Sequence, residues 1–375
     1  MKIVFICGSL EQGRDGVGDY VRRLSIEVSI QGHEVGLAAI NDRHIKIVEK
    51  NKIETLQGDI EILRLPEGMN NQERFDILTK WTKEQNADWH SLQFVPFSFN
   101  RRGFIFGLAK NLLRLGQKEK WHIMFHELWL GMDSESGNKE LFWGICQRYL
   151  INNLLKCLKP TLIHTHVNLY RRQLAKLGVE VKLLPLFSNI PVISNVNILN
   201  KWDWDDKEKA PIDLVTFGGI HAGAPIGELA TEAAKYGKDN NIIIRLVIIG
   251  KSGAGQADFI REWEAVGLTA IPLGEQTEAE VSVLLSEAKY GIFTTPIALV
   301  EKSGSVAAMR DHGIHLLCAS REWNPRGIDL EPNPFSIKVY KPGNLASFFE
   351  SKPDFTNRPT LVSISQQFIS DLNSI

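Results

Sequence analysis

The chain has 375 residues, of which 43% are hydrophobic and 23% charged, an ordinary globular balance that excludes a disordered or fibrous protein. Lys+Arg 43 against Asp+Glu 44 gives a formal net charge of -1, so the long-range positive field that draws proteins to nucleic acid is missing and no nucleic-acid partner is predicted. This length exceeds what one hydrophobic core usually supports, which favours two domains.

The cysteines and the apolar segments predict a location. Cys7, Cys146, Cys157 and Cys318 are scattered without a CxxC pair, which favours reduced thiols in the cytoplasm. The apolar run at residues 3–7 is too short for a signal peptide and is typical of a buried strand. No segment reaches the roughly 20 apolar residues of a membrane helix. We therefore expect a cytoplasmic protein, with a peripheral membrane contact left open.

The first elements along the chain form a βαβ pattern. The strand at residues 3–7 is followed by a glycine-rich turn at 8–18 and by a helix whose apolar residues recur every three or four positions. Gly32 suits the end of that helix, and residues 35–40 read as the next strand. This order is typical of a parallel sheet. Further buried strands are predicted at 122–125 and 160–163.

The charged segment 201–211 (KWDWDDKEKAP) is predicted to be a linker; the alternative is a long loop inside one domain. Beyond it, strands and helices alternate up to residue 318. The predicted strands are 214–217, 242–249, 269–273, 291–295 and 314–318. The predicted helices are 225–236, 259–266, 277–288 and 305–312, with Gly237 as the stop of the first and Thr277 with Glu280 as a capping box of the third.

These patterns predict an α/β protein with two doubly wound, Rossmann-like domains facing a cleft. The first domain spans residues 1–195 and the second residues 210–350. Residues 359–375 form an amphipathic helix with apolar side chains three or four positions apart. In doubly wound sheets ligands bind at the carboxyl ends of the strands, so we expect the chemistry in the loops that follow them.

Two glycine-containing loops could approach a phosphate. Gly16 and Gly18 lie where a helix begins, and helix N-termini suit an anion such as a diphosphate; the alternative is a structural turn. The loop does not match GxGxxG, which argues against NAD. At 250–252 a P-loop fails because Arg245 stands where glycine is required, so Lys251 either binds a phosphate or is solvated.

Histidines follow two predicted strands. His126 and Glu127 come after residues 123–125, where they could exchange protons with a sugar hydroxyl or simply end the strand. His164 and His166 have the HxH spacing of some metal sites, but no further ligands stand out, so packing is favoured and no metal is predicted.

The segment 296–313 (PIALVEKSGSVAAMRDHG) is the most informative. Glu301, Lys302, Ser303, Gly304 and Ser305 lie between a buried strand and a helix. Hydroxyl residues at a helix N-terminus either cap it or bind phosphate, and Lys302 adds positive charge. Glu301 suits a ligand that carries sugar hydroxyls as well. The alternative is a capped surface helix.

Taken in order, several short motifs resemble the retaining GT-B glycosyltransferases of family 4. They are DYVRRL at 19–24, HEV at 33–35, FHELW at 125–129, FGG at 217–219, VIIG at 247–250 and the block 301–313. The resemblance implies a nucleotide-diphosphate sugar donor, held by Glu301 and by the amides of residues 303–305. It places His126 beside the donor sugar, Gly16 and Gly18 near the pyrophosphate, and Gly218 and Gly219 in the donor site. It also implies that the C-terminal helix packs back on the first domain.

Two features depart from that family. Its second glutamate, which binds the ribose, falls on Met309, and residues 220–234 contain none of the usual basic pair. The expectation is therefore a divergent, metal-independent glycosyltransferase that retains configuration, has no bound cofactor, and transfers to a glycan, lipid or small-molecule acceptor that the sequence does not name. A GT-B nucleotide-sugar epimerase and a non-catalytic nucleotide- or carbohydrate-binding relative remain alternatives.

Overall fold

The computed structural model describes residues 1–116, 120–193, 211–329, 331–332, 335–353 and 359–375. These residues form two compact units. The first contains Met1–Asn189, Pro325–Ile328 and Pro359–Ile375, and the second contains Ile190–Asn324 and Asp329–Arg358. The predicted linker lies outside the described residues except for Pro211, its last residue.

Each unit is built on one sheet. The strands of the first unit are β1 (Lys2–Cys7), β2 (Glu34–Asp42), β3 (Glu49–Thr55), β4 (Gly58–Pro66), β5 (Trp89–Phe94), β6 (Lys120–Phe125), β7 (Leu162–Thr165) and β8 (Lys182–Leu183). Those of the second unit are β9 (Ile212–Phe217), β10 (Ile244–Ile249), β11 (Thr269–Gly274), β12 (Tyr290–Phe293), β13 (His315–Cys318) and β14 (Lys338–Val339). The strand orders are β3-β4-β2-β1-β5-β6-β7-β8 and β11-β10-β9-β12-β13-β14.

Helices connect these strands. The first unit contains α1 (Gly16–Ile30), α2 (Asn71–Gln85), α3 (Pro96–Phe99), α4 (Leu108–Leu112), α5 (Asn138–Leu158) and α6 (Asn168–Ala175). The second contains α7 (Ile226–Asn240), α8 (Gln256–Ala265), α9 (Glu278–Glu287), a 3₁₀ helix (Ile297–Lys302), α10 (Gly304–Asp311) and α11 (Leu345–Glu350), and α12 (Leu361–Asn373) returns to the first unit. The described strand pairs are parallel except β3 with β4. The predicted α/β fold with two parallel-sheet, Rossmann-like units is confirmed.

The core of the first unit lies between its sheet and the helices α1 and α12. On α1, Tyr20, Val21 and Leu24 are buried, as the helical spacing predicts. On α12, Phe368 is fully buried and its ring lies 5.8 Å from that of Phe5 in β1. The C-terminal helix is therefore part of the same core as the N-terminal strand.

The structure adds several elements that the sequence patterns did not indicate, among them β3 and α5. The strand β3 (EKNKIET) has no fully buried residue because it is the antiparallel edge of the sheet, so apolar alternation is absent. The helix α5 has 21 residues and exposed aromatic side chains at Phe142 and Tyr149, which blur its amphipathic pattern. In both elements the pattern of apolar residues along the sequence is too weak to predict the strand or the helix.

Gly237 is the clearest difference in the second unit. It was expected to stop α7, but the helix continues to Asn240, and Asn241, with φ 53°, caps it in the left-handed region. A Cβ on Gly237 would lie 2.7 Å from the backbone oxygen of Ile242. The glycine is therefore required because the chain that follows the helix packs closely against its backbone. The capping box of Thr277 and Glu280 is confirmed.

Candidate functional site

The carboxyl edge of the sheet in the second unit brings two predicted segments together. Gly218 follows β9 with φ 93°, and a Cβ on it would lie 2.8 Å from the side chain of Ser305 in α10. Because only glycine avoids both the strained backbone angle and this contact, the loop after β9 can lie against the first turn of α10. Gly219 accepts a hydrogen bond from the hydroxyl of Thr294, 3.3 Å away.

The N-terminus of α10 carries hydroxyl groups. Ser303 is the N-cap residue and accepts a hydrogen bond from the amide of Val306 at 3.4 Å. Its Oγ also lies 3.1 Å from that of Ser305 and 3.5 Å from that of Thr295. Capping therefore explains part of the Ser-Gly-Ser sequence. The first amides of any helix lack intrahelical acceptors, so those of Gly304 and Ser305 can still bind an anion.

Two further basic residues at this edge, His221 and Arg321, are not among the residues predicted from the sequence. His221 is held in place by Thr294, whose Oγ1 lies 2.8 Å from its backbone nitrogen and 3.0 Å from its Nδ1. Burial lowers the pKa of His221, and the positive charges of Lys302 and Arg321 lower it further. We call His221, Lys302 and Arg321 the basic cluster. His221 could have been suspected from its place after Phe-Gly-Gly, whereas Arg321 follows a different strand and carries no such signal.

The remaining predicted residues of the second unit differ in their surroundings. Glu301 and Lys302 end the 3₁₀ helix and are half-buried. Lys251 is exposed, and its Nζ lies 2.8 Å from a carboxylate oxygen of Glu275. That ion pair offsets part of the charge of Lys251.

In the first unit, Gly16 and Gly18 lie in the first turn of α1. A Cβ on Gly18 would lie 2.7 Å from the backbone oxygen of Ser9, so the helix start packs directly on the loop before it. The carboxylate of Asp15 caps α1 by accepting from the amide of Gly18 at 2.8 Å. An anion at this helix would have to share the position with that carboxylate, which weakens the case for a diphosphate there.

Ion pairs and hydrogen bonds hold the loop that precedes α1 in place. Arg64 is mostly buried and donates to Asp42 at 2.8 Å and to Glu11 at 2.5 Å. Asp42 also accepts from the hydroxyl of Ser9 at 3.1 Å, and Arg22 donates twice to the backbone oxygen of Leu10. The loop that leads into α1 therefore has a fixed shape before any ligand arrives.

His126 follows β6 and is 7% exposed. Its Nε2 lies 2.9 Å from Oε1 of Gln93, and its Nδ1 lies 3.1 Å from Nε2 of His166. Burial lowers its pKa well below the ordinary value, and His166 lowers it further. Glu127, next to it, is half-buried. Both ring nitrogens of His126 thus face protein atoms.

His164 and His166 likewise contact protein groups. His166 Nδ1 donates to the backbone oxygen of Leu184 at 2.8 Å, and His164 Nε2 lies 3.1 Å from a carboxylate oxygen of Asp371. In the described parts of the chain, no group of three or more His, Cys, Asp or Glu side chains could hold a metal ion. Among the helices that the structure describes, none is both long and apolar enough to cross a membrane.

Known proteins share the fold of this chain, although no family model and no curated protein matches its sequence. The Anabaena protein HepE, solved with UDP-glucose, has a TM-score of 0.62 at 13% identity, with 100% of both chains covered. The UDP-GlcNAc 2-epimerase of Neisseria meningitidis, bound to UDP-GlcNAc, has a TM-score of 0.54 at 9% identity, again covering 100% of both chains. The UDP-forming α,α-trehalose-phosphate synthase of Burkholderia xenovorans, in complex with glucose-6-phosphate, has a TM-score of 0.57 at 9% identity and 99% coverage of both. At these identities the similarity shows a GT-B type of fold.

Proposed function

We propose that the chain is an enzyme that acts on a nucleotide-diphosphate sugar and transfers the sugar to an acceptor with retention of configuration. The observation that carries this proposal is the basic cluster at the carboxyl edge of the second sheet. There the charges of Lys302 and Arg321 both lower the pKa of His221, and Lys302 directly precedes the N-cap of α10. Similar folds solved with UDP-glucose or UDP-GlcNAc support the choice of ligand.

The basic cluster supplies what the breaking of a sugar–diphosphate bond requires. Negative charge grows on the leaving diphosphate, and fixed cations and amides at that point lower the barrier without reorganising. Lys302 and Arg321 can replace the basic pair that is missing from residues 220–234. Since cations and amides fill this role, the proposed reaction needs no divalent metal or other cofactor.

Glu301 is the proposed contact to the sugar. It directly precedes Lys302 at the end of the 3₁₀ helix, so its carboxylate can accept hydrogen bonds from sugar hydroxyls while the next residue faces the diphosphate. The position of the ribose-binding glutamate is taken by Met309, which is fully buried in the core of the second unit. The ribose must therefore be bound by other groups.

Epimerisation of the nucleotide sugar is the second candidate. It is favoured by the likeness to the Neisseria epimerase, and it would require a proton acceptor next to the sugar. His126, which the sequence predicts to exchange protons with a sugar hydroxyl, is the candidate for this role; it is a buried imidazole that follows β6, and burial lowers its pKa.

Product analysis separates these functions. The protein is incubated with UDP-glucose or UDP-GlcNAc, with and without a panel of sugar, lipid and sugar-phosphate acceptors, and the products are identified by mass spectrometry and NMR. Transfer predicts free UDP and a glycosylated acceptor with the donor's anomeric configuration. Epimerisation predicts an isomer of the donor without any acceptor. Saturable binding with no product in any reaction would identify a non-catalytic relative.

A further inference from the structure

A continuous row of close polar contacts crosses the sheet of the first unit through buried side chains, from the backbone oxygen of Leu184 to the carboxylate of Asp371. In order, its members are Leu184, His166, His126, Gln93, Ser91, His122, His164 and Asp371, and we call it the histidine row. Successive distances are 2.8, 3.1, 2.9, 2.8, 2.8, 3.1 and 3.1 Å. The row has seven contacts, and each needs one proton to be a hydrogen bond.

Both ends of the row are acceptors. At one end the backbone oxygen of Leu184 has no proton to give. At the other end the carboxylate of Asp371 also accepts a hydrogen bond from the ammonium of Lys182 at 2.7 Å. The rings next to the ends must therefore donate, from Nδ1 of His166 and from Nε2 of His164.

The direction of every other contact follows from these ends. A neutral imidazole has one donor and one acceptor nitrogen. On the first side His166 Nε2 is an acceptor, so His126 must donate from Nδ1, and its own Nε2 is left as an acceptor. The protonation of His126 is thus fixed by its neighbours.

On the second side His164 Nδ1 accepts from His122 Nε2. The Nδ1 of His122 then accepts from the hydroxyl of Ser91, and Ser91 accepts from the amide nitrogen of Gln93. The carbonyl oxygen Oε1 of Gln93 is thereby turned towards His126. This matches the orientation in which Gln93 Nε2 donates to Ser91.

The donor directions derived from the two ends of the row meet at His126 and Gln93. There two acceptors, His126 Nε2 and Gln93 Oε1, face each other 2.9 Å apart. Four neutral rings, one amide and one hydroxyl supply at most six protons for seven contacts. Rotating the amide of Gln93 moves the mismatch along the row without removing it, because the amide still supplies one proton to its two contacts.

We propose that His126 Nε2 is a proton-accepting site created by this mismatch, and that the row binds one proton there. The site does not depend on which ligand the protein takes. A proton on Nε2 makes all seven contacts hydrogen bonds. A hydroxyl that takes the place of Gln93 Oε1 could likewise donate a hydrogen bond to His126 Nε2. At neutral pH His126 would therefore act as a base towards that hydroxyl.

The surroundings determine when the proton binds. Burial is the largest cause lowering the pKa of all four histidines. The ring of Tyr20 in α1 lies 5.0 Å from that of His126 and carries no charge, since burial raises the pKa of its hydroxyl. Lys182 and Asp371 offset each other at the far end. The proton is therefore taken up below pH 6.5.

Nitrogen-15 NMR of the imidazole rings tests this assignment directly. At pH 7 we expect His126 and His166 to carry the proton on Nδ1, and His122 and His164 to carry it on Nε2. On acidification His126 should be the first of the four to gain a second proton. A ring of His126 protonated on Nε2 alone at pH 7 would overturn the proposal.

Asp371→Asn is the decisive variant, because its amide can donate to His164 and supply the missing proton. We expect His122 and His164 to change from Nε2–H to Nδ1–H, and the pKa of His126 to fall. Gln93→Glu, which places a carboxylate beside His126 Nε2, should instead raise that pKa and provides a second test if Asp371→Asn does not fold. Gln367→Ala is the control, since it removes a hydrogen bond from α12 to the backbone of Leu183 outside the row. Unchanged tautomers in Asp371→Asn, or an unchanged His126 pKa in Gln93→Glu, would contradict the proposal.

Discussion

At the scale of single residues, Lys251 and Lys302 differ in their charged surroundings. In the sequence, Lys251 and Lys302 both lie in loops that follow strands of the second unit. The structure pairs Lys251 with Glu275 and places Lys302 in the basic cluster. Glu275 and Arg321 belong to other loops. The sequence around Lys251 and Lys302 therefore does not reveal that these residues lie nearby.

Replacing the two lysines should therefore have different effects. We expect Lys302→Ala to weaken binding of UDP about 10- to 100-fold, since a charge-assisted hydrogen bond contributes roughly 1.5–3 kcal/mol. Lys251→Ala should change affinity less than about threefold, because the ion pair it loses is exposed. Isothermal titration calorimetry with UDP measures both. Equal losses in the two variants would show that the basic cluster is not the diphosphate site.

Glu301 should affect the sugar more than the nucleotide. Glu301→Gln keeps the shape of the side chain but weakens its acceptance of hydrogen bonds from hydroxyls. We expect reduced affinity for UDP-glucose or UDP-GlcNAc with little change for UDP, measured by the same calorimetry. If both ligands lose affinity equally, Glu301 does not contact the sugar.

At the scale of elements, backbone packing overrides the local preferences of glycine. Gly237 sits inside α7 because a side chain would meet the backbone of Ile242, and Gly218 follows β9 because a side chain would meet Ser305. Both glycines were noticed in the sequence, but their reasons lie in segments that the pattern does not connect.

This packing predicts opposite results for two glycines of the same helix. Gly237→Ala should lower the free energy of unfolding by about 1–3 kcal/mol, since overpacking costs more than the better helix propensity of alanine returns. Gly227→Ala is the matched control, because its Cβ would meet only the flexible end of the Glu262 side chain at 3.2 Å. Urea denaturation measures both, and a stabilised Gly237→Ala would refute the close contact.

At the scale of the whole molecule, the histidine row links pH to stability. Burial lowers the pKa of His164 and His166 to about 4, below the ordinary 6.5 of the unfolded chain. Between these values the unfolded state binds more protons than the folded state. The contribution of these histidines to the free energy of unfolding is therefore fully present above pH 6.5, and it is lost as the pH drops towards 4.

Urea denaturation between pH 7 and 5 checks this dependence. We expect the midpoint to fall steadily over this range, in which most exposed carboxylates remain ionised. The Gln367→Ala variant should show the same slope from a lower starting value. A midpoint that does not change with pH would mean that the buried rings titrate as they do in the unfolded chain.

The proposed reaction should also continue without divalent metal. The cations of the basic cluster and the amides of α10 are expected to stabilise the leaving diphosphate themselves. Turnover of the donor in EDTA should equal that in Mg²⁺. Loss of turnover in EDTA, restored by Mn²⁺, would show that a metal takes part.

The sequence by itself determined the fold class, most strands and helices of the second unit, and the loops in which charged and glycine residues follow strands. It could do so because apolar periodicity, caps and turn residues act over a few neighbouring positions. The tertiary structure decided that the charges of Arg321 and Lys302 both act on His221, that Glu275 offsets Lys251, and that Leu184 and Asp371 set the donor directions that meet at His126 and Gln93. These relations connect strands and helices up to 207 positions apart, as between His164 and Asp371. The charges around a residue and the protons it shares depend on distances in space. Patterns among neighbouring positions of the sequence do not contain those distances.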